Sequence, residues 1–392
     1  MDLETAKTVM LRTHASADRH NERANCLFLQ SPPGIGKSDS NDQYVQKLAE
    51  TINEPVAVVV EMMATYTSPD VRGFMIPIKT QTMPGVPDTA FSLPPWYPTR
   101  NNIRVCEPDG TWHERGQWSG DVPRVGVLLL DEFSQAEDEV KKPAAELLYR
   151  GGVGNVSLPK LWRVIGCGNR LSDRSGVMRE MMFLVNRRCL LNIDPSLPTW
   201  INWASRQPDR NRPHYLTISF AQKNPDIVFR DSVPDGTDPF CTPRTLCLLD
   251  KDLMALRTAE DEAKDRLPTD SASREVAAGW IGGASAAQYF THLKYADELP
   301  DMADIEKDPA KAKLPPNRDA QMVAAYMLAH NVTEKNAQPV MAYVARMNIE
   351  MQVLAVRAVG ASPSGQAKHM LNTKEFSQWL AKHKDLLVAS RS

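Results

Sequence analysis

Ser31-Pro32-Pro33-Gly34-Ile35-Gly36-Lys37-Ser38 constrains this chain more than any other stretch. It follows a short apolar run, Cys26 to Leu29, and precedes a polar segment, Ser38 to Glu50, with helical character. Strand, glycine loop and helix in that order form the setting a phosphate-binding loop requires. Glycines let successive backbone N–H groups turn inward around a phosphate, and the helix N-terminus adds its positive end. The expected nucleotide-binding run is therefore Pro33, Gly34, Ile35, Gly36, Lys37, Ser38 and Asp39. Lys37 is placed to reach the β- and γ-phosphates, and the Ser38 hydroxyl to hold Mg²⁺. The usual pattern opens on glycine, where this chain has Ser31. A dinucleotide loop fits less well: its third glycine would fall on Asp39, and the Lys-Ser pair would have no role. The bland alternative is a glycine turn between a strand and a helix.

A second half of such a site lies about a hundred residues on. Val125 to Leu130 reads as a buried strand and runs directly into Asp131-Glu132. Asp131 is expected to hold Mg²⁺, and Glu132 to orient or deprotonate an attacking water. A further strand, Trp162 to Cys167, ends at Gly168-Asn169-Arg170. The Asn169 amide at that tip is a candidate for holding the water beside the γ-phosphate; otherwise it is an ordinary turn residue.

Composition narrows the class. The 392 residues suffice for two or three domains, and the net charge of −2 gives no global reason to expect nucleic-acid or membrane binding. The six cysteines form no C-x-x-C pair, which points to buried thiols in a reducing compartment. No segment is apolar over a bilayer's width, and the N-terminus lacks a basic-then-apolar signal. The expectation is a soluble cytoplasmic protein. The dispersed histidines give no metal-ligand spacing and no nucleophile–histidine–acid arrangement.

The expected fold class is α/β: a parallel sheet flanked by helices, followed by an all-α region. Residues 1–24 read as an amphipathic helix with Leu3, Ala6, Val9 and Met10 on one face. Residues 25–235 form the nucleotide-binding domain, with insertions at about 61–125 and 151–160, and 236–392 the helical region. Val56 to Val60 and Cys189 to Ile193 are further strands. Within the first insertion, Phe74 to Ile78 and Thr89 to Leu93 look like short strands, and 101–120 a polar loop. Gly151 to Pro159 reads as a hairpin, and Glu137 to Arg150, Gly176 to Val185, Trp200 to Arg206 and Ile218 to Phe229 as helices. Met322 to Ala329 and Val340 to Val359 are the clearest helical segments farther on, with a charged linker at Pro300 to Pro316. Basic residues of the tail, Lys368 to Arg391, read as a solvated helix face.

Taken in chain order, several segments make the sequence resemble an AAA+ ATPase. They are Pro32 to Ser38, Ser68-Pro69-Asp70-Val71-Arg72-Gly73, Pro94-Pro95-Trp96-Tyr97-Pro98, Leu128 to Phe133, Gly168 to Arg174, Asn186-Arg187-Arg188 and Thr242-Pro243-Arg244. Over roughly residues 25 to 360 it looks most like the MoxR branch, in the subgroup found in phage and bacterial genomes beside von Willebrand factor A proteins. The resemblance implies ATP and Mg²⁺ as cofactors and a ring, expected to be hexameric, with ATP at subunit interfaces. It implies that Asn169 is the first sensor and Arg244 the second, coupling a helical lid to the nucleotide. Arg187 matches the finger that reaches the neighbouring subunit's γ-phosphate; Arg188 stands where relatives usually have Phe, which splits the finger assignment between Arg187, favoured, and Arg188. Both insertions would line the pore side of the ring.

The leading function is then an ATP-hydrolysing ring motor that remodels or assembles a protein client, with a von Willebrand factor A protein as the candidate. One alternative is a nucleic-acid motor or loader, against which stands the absence of a DNA-binding motif. Another is a nucleotide-binding switch or structural component with little turnover, against which stand Lys37, Asp131, Glu132 and Asn169.

Overall fold

A computed structural model of the chain describes residues 1–78, 88–170, 173, 186–208, 211–361 and 366–389. They form two compact units: Met1–Pro195 with Asp231–Val233, and Ser196–Arg230 with Pro234–Ser392. The first unit ends at Pro195, forty residues before the boundary expected at 235, because Trp200, Tyr215 and Phe220 pack into the core of the helical unit.

The first unit is built on a seven-stranded sheet. Its strands are β1 (Leu27–Gln30), β2 (Val56–Met62), β5 (Arg104–Cys106), β6 (Trp112–His113), β7 (Val125–Asp131), β10 (Leu161–Gly168) and β11 (Cys189–Asn192). The order is β11-β1-β10-β7-β2-β5-β6, and the first five strands are parallel. β7 and β10 are buried along nearly their whole length, the pattern of strands covered on both faces. Helix α1 (Leu3–Arg19) and α2 (Lys37–Ile52) supply Met10, Tyr44, Val45 and Leu48 to one face. The other face packs Phe28, Leu128, Leu130 and Trp162 against Trp96 and residues of α4 (Asp138–Arg150), including Val140 and Leu147. A short α3 (Ser68–Arg72) opens the insertion.

The insertions fold in part as expected. β3 (Met75–Pro77) pairs antiparallel with β4 (Thr89–Phe91), and β8 (Gly152–Val153) with β9 (Val156–Ser157). The polar loop expected over 101–120 is instead sheet edge: β5 pairs antiparallel with β2, and β6 with β5. Arg104 makes this possible. Its guanidinium is neutralised by both Asp42 oxygens at 3.0 Å and by Glu114 at 3.0 Å, and it stacks on Trp112 at 4.6 Å. The expected helix over 176–185 lies outside the described residues.

The second unit is all helical among the described residues. It begins with α5 (Leu197–Ser205), α6 (Tyr215–Lys223), α7 (Pro225–Val228), α8 (Pro243–Ala255) and α9 (Ala259–Ala263). It continues with α10 (Ser271–Ile281), α11 (Gly283–Leu293), α12 (Met302–Lys307) and α13 (Arg318–Asn331). It ends with α14 (Ala337–Val344), α15 (Ile349–Ala361), α16 (Gln366–Leu371) and α17 (Lys374–Ala389). Three expectations need correction. The helix read over 218–229 breaks at Asn224, where Pro225 starts a new turn. The segment 340–359 is two helices. The linker at 300–316 contains α12, whose Ile305 is fully buried. Among the described residues no helix is long and apolar enough to cross a membrane. Cys26, Cys106, Cys167 and Cys241 are buried as expected, whereas Cys189 is exposed and Cys247 partly so.

Candidate functional site

The phosphate-loop sequence folds at the C-terminal end of β1. Ser31 stays tied to the sheet, its N–H donating to the Gly168 carbonyl at 3.3 Å. The chain then turns through Gly34 and Gly36 at φ of 77° and 93°. A Cβ on Gly36 would meet no atom within 4 Å, so backbone freedom rather than space requires glycine there. Gly36 caps α2, and its carbonyl accepts the first helical bond, from Ser40 at 2.9 Å.

Lys37 is 9% exposed. Its Nζ donates to Ser31 Oγ at 2.7 Å and to Asn169 Oδ1 at 3.1 Å, with the Pro32 and Ser31 carbonyls at 3.3 and 3.4 Å. Ser31, the residue that departs from the usual loop pattern, is fully buried and donates its own proton to the Pro32 carbonyl at 2.8 Å. Its oxygen is thereby an oriented acceptor for the lysine. No signal in the sequence gave it that part.

The acid pair closes the other side. Ser38 Oγ donates to Asp131 Oδ2 at 2.8 Å, and Asp131 Oδ1 accepts from the Glu132 N–H at 2.8 Å. Glu132 takes a left-handed conformation, φ 51° and ψ 27°, which ends the strand's alternation. β10 lies between β1 and β7, so Asn169 emerges between the loop and the acids. Gly168 is required for that placement, since a Cβ would lie 1.9 Å from Ser134 Oγ. Lys37, Ser38, Asp131, Glu132 and Asn169 thus converge at one edge of the sheet, outside the carboxyl ends of parallel strands, where open α/β sheets bind ligands. On the neighbouring strand, Glu61 lies near the end of β2 in register with Leu130. Burial raises its pKa, while hydrogen bonding from Tyr66 and the nearby Arg115 act the other way.

The two finger candidates lie elsewhere. β11 begins at Cys189 alongside Leu27, so Arg187 and Arg188 sit at the amino ends of the strands. Ser31 is at the carboxyl end, roughly 13 to 17 Å away along the strand direction. The two arginines also differ from each other. Arg188 is half-buried, with its guanidinium carbon 3.7 Å above the Phe28 ring. Arg187 is exposed and stands 5.7 Å from the Tyr149 ring centre. Both border a cavity of about 500 Å³ also lined by Arg23, Cys26, Tyr149 and Trp162. The Cys26 thiol is pushed up to about 12 by burial, which keeps it protonated beside these cations. Arg244 is exposed in the first turn of α8, in the second unit. That turn is fixed by a reciprocal cap between Thr242 and Thr245.

No protein-family model matches this sequence, and no curated protein does. Solved structures do align with it. A RuvB mutant from Thermotoga maritima has 14% identity, covering 74% of this chain and 68% of its own, with a TM-score of 0.35. NtrX from Brucella abortus has 14% identity over 90% of this chain and 67% of its own, with a TM-score of 0.34. The RuvB Holliday junction branch migration motor of Thermotoga maritima has 11% identity over 97% and 86%, with a TM-score of 0.30.

Proposed function

We propose that this chain is an ATP-hydrolysing motor of the AAA+ class that works as a ring. The observation that carries the proposal is the convergence of Lys37, Ser38, Asp131, Glu132 and Asn169 at one sheet edge, through contacts of 2.7 to 3.1 Å. The donor set fits the groups it would hold. Ser38 Oγ and Asp131 Oδ2 put two hard oxygens side by side, which suits Mg²⁺, a cation that takes one or two carboxylates plus phosphate oxygens. Among the described residues no cluster of three or more His, Cys, Asp or Glu offers a self-sufficient metal cage.

ATP with Mg²⁺ supplies an electrophilic phosphoryl group whose charge the metal partly neutralises. The loop from Pro33 to Gly36 would wrap the phosphates, with the backbone N–H groups of Gly34, Ile35 and Gly36 as donors, and Ser38 and Asp39 would continue that surface on the first turn of α2. Lys37 would contribute a buried ammonium. Glu132 would accept a proton from the attacking water, and Asn169 would orient that water. Arg187 would serve a neighbouring copy, since it lies at the wrong end of the sheet for its own loop. Its exposure favours it over Arg188, which is spent on the Phe28 face. Arg244 would couple the helical unit to the nucleotide. In the finer reading the motor is of MoxR type, hexameric, and acts on a protein client such as a von Willebrand factor A protein; the sequence segments named above support it.

The test is ATP turnover against protein concentration, with mass by light scattering. Wild type should gain turnover per subunit as a ring-sized species forms. Glu132→Gln should lose turnover yet still bind ATP, and Arg187→Ala should fall by on the order of 10³-fold. Full activity in a monomer would overturn the ring, and an active Glu132→Gln would overturn the assignment of the base.

A further inference from the structure

Tyr149 stands outside the buried face of its helix. It lies in the last turn of α4, whose buried face is Val140, Lys141, Pro143, Ala144, Ala145, Leu147 and Leu148. Its own side chain is 65% exposed. What it faces is Arg187, whose guanidinium carbon is 5.7 Å from the ring centre, within cation–π range. Both side chains border the cavity at the amino ends of the strands.

We infer that Tyr149 is a positioning residue for Arg187, its ring holding the guanidinium at the mouth of that cavity for the nucleotide of a neighbouring copy. The inference rests on the trans-acting role proposed above for Arg187. A flexible arginine must give up rotamer freedom to meet a phosphate in one geometry, and a side chain already resting on an aromatic face has less to give up. α4 supplies a rigid base for that face. Its end is fixed by the Gly151 N–H donating to the Leu147 carbonyl at 2.8 Å.

The test compares Tyr149→Phe, Tyr149→Leu and Tyr149→Ala in the full-length chain, by steady-state ATP turnover. Phe keeps the π face; Leu keeps apolar bulk without it. Leu and Ala should lower kcat by about threefold to tenfold with KM little changed, and Phe should restore it. Each variant is also mixed with Glu132→Gln, which brings an intact Tyr149 and Arg187 but no base. If Tyr149 works through the finger, adding Glu132→Gln in excess should raise turnover per Tyr149-variant subunit toward the wild-type rate, because nearly every intact acid site then receives an intact finger. Arg187→Ala mixed with Glu132→Gln is the control: its failure to recover would mean that the trans reading is wrong. Recovery in the control without recovery for Leu would overturn the inference about Tyr149 alone. So would Leu matching Phe, or a change confined to KM.

Discussion

Glu132 occupies backbone that a residue with a side chain enters at a cost on the order of 1 kcal/mol or more. Its φ is 51°. Asp131 helps hold it there, accepting the Glu132 N–H with one oxygen while the other meets Ser38. A single carboxylate therefore fixes both the candidate metal-binding hydroxyl and the turn that carries the candidate base. Strain kept at such a position has a measurable signature. Glu132→Gln keeps the strain and loses the carboxylate, whereas Glu132→Asn loses the carboxylate and installs a residue that tolerates left-handed backbone. Both should abolish turnover, but only Asn should raise the melting temperature of the first unit, by about 2 to 4 °C for a gain near 1 kcal/mol. Equal melting of the two variants would show that the turn is not strained.

At the scale of elements, α1 is locked to the sheet through His14. The Leu161 carbonyl can only accept, so His14 Nε2 carries the proton and donates to it at 3.0 Å; Nδ1 then accepts from the Tyr44 hydroxyl at 2.6 Å. One ring thus joins α1, α2 and β10. Burial, with the Arg163 charge adding to it, lowers the His14 pKa from 6.5 to about 4. The folded chain therefore refuses a proton that the unfolded chain takes up below about pH 6.5. The stabilisation is complete above that pH and is lost as pH falls toward 4, amounting to about 1.4 kcal/mol by pH 5.5. His14→Gln, which cannot titrate, should melt lower at pH 7.5 but show a flatter decline to pH 5.5 by calorimetry. An unchanged decline would mean that His14 takes up its proton without unfolding. None of this was legible in advance, because the partners of His14 lie 30 and 147 residues away. Strands β1, β2, β7 and β10 were legible because continuous apolar runs have few other fates. β5 and β6 were not, since each is short and depends on Arg104 finding Asp42 across the fold. The break between α14 and α15 was hidden for the same kind of reason. Residues 345–348 lack a breaker, and their carbonyls are drawn off by Gln352, which donates to Ala345 and Met347 at 3.1 and 2.7 Å. In the site, Lys37, Ser38 and Asp131 could be named from spacing alone; the acceptor role of Ser31 and the backbone of Glu132 needed coordinates.

For the molecule as a whole, the separation of two surfaces on the first unit decides how copies can meet. The phosphate loop lies at the carboxyl ends of the strands and Arg187 at the amino ends. If Arg187 serves a neighbour and is served in turn by a different one, the contact joins unlike surfaces, and a head-to-tail contact of that kind closes into a ring or runs on as a filament, whereas a two-fold dimer would have to make both contacts in one interface. Each subunit then belongs to two sites, giving acids to one and an arginine to the next. Glu132→Gln spoils the site a subunit holds and keeps its finger; Arg187→Ala spoils the neighbour's site and keeps its own. In a random equimolar mixture a site works only where an Arg187→Ala subunit is followed by a Glu132→Gln subunit, so about one quarter of sites should be active though each variant alone is dead. Recovery near that fraction, with the mass unchanged between mixture and wild type, is the expected result. If the arginine acted within its own chain, every subunit in the mixture would lack one essential group, and no mixing ratio would restore turnover.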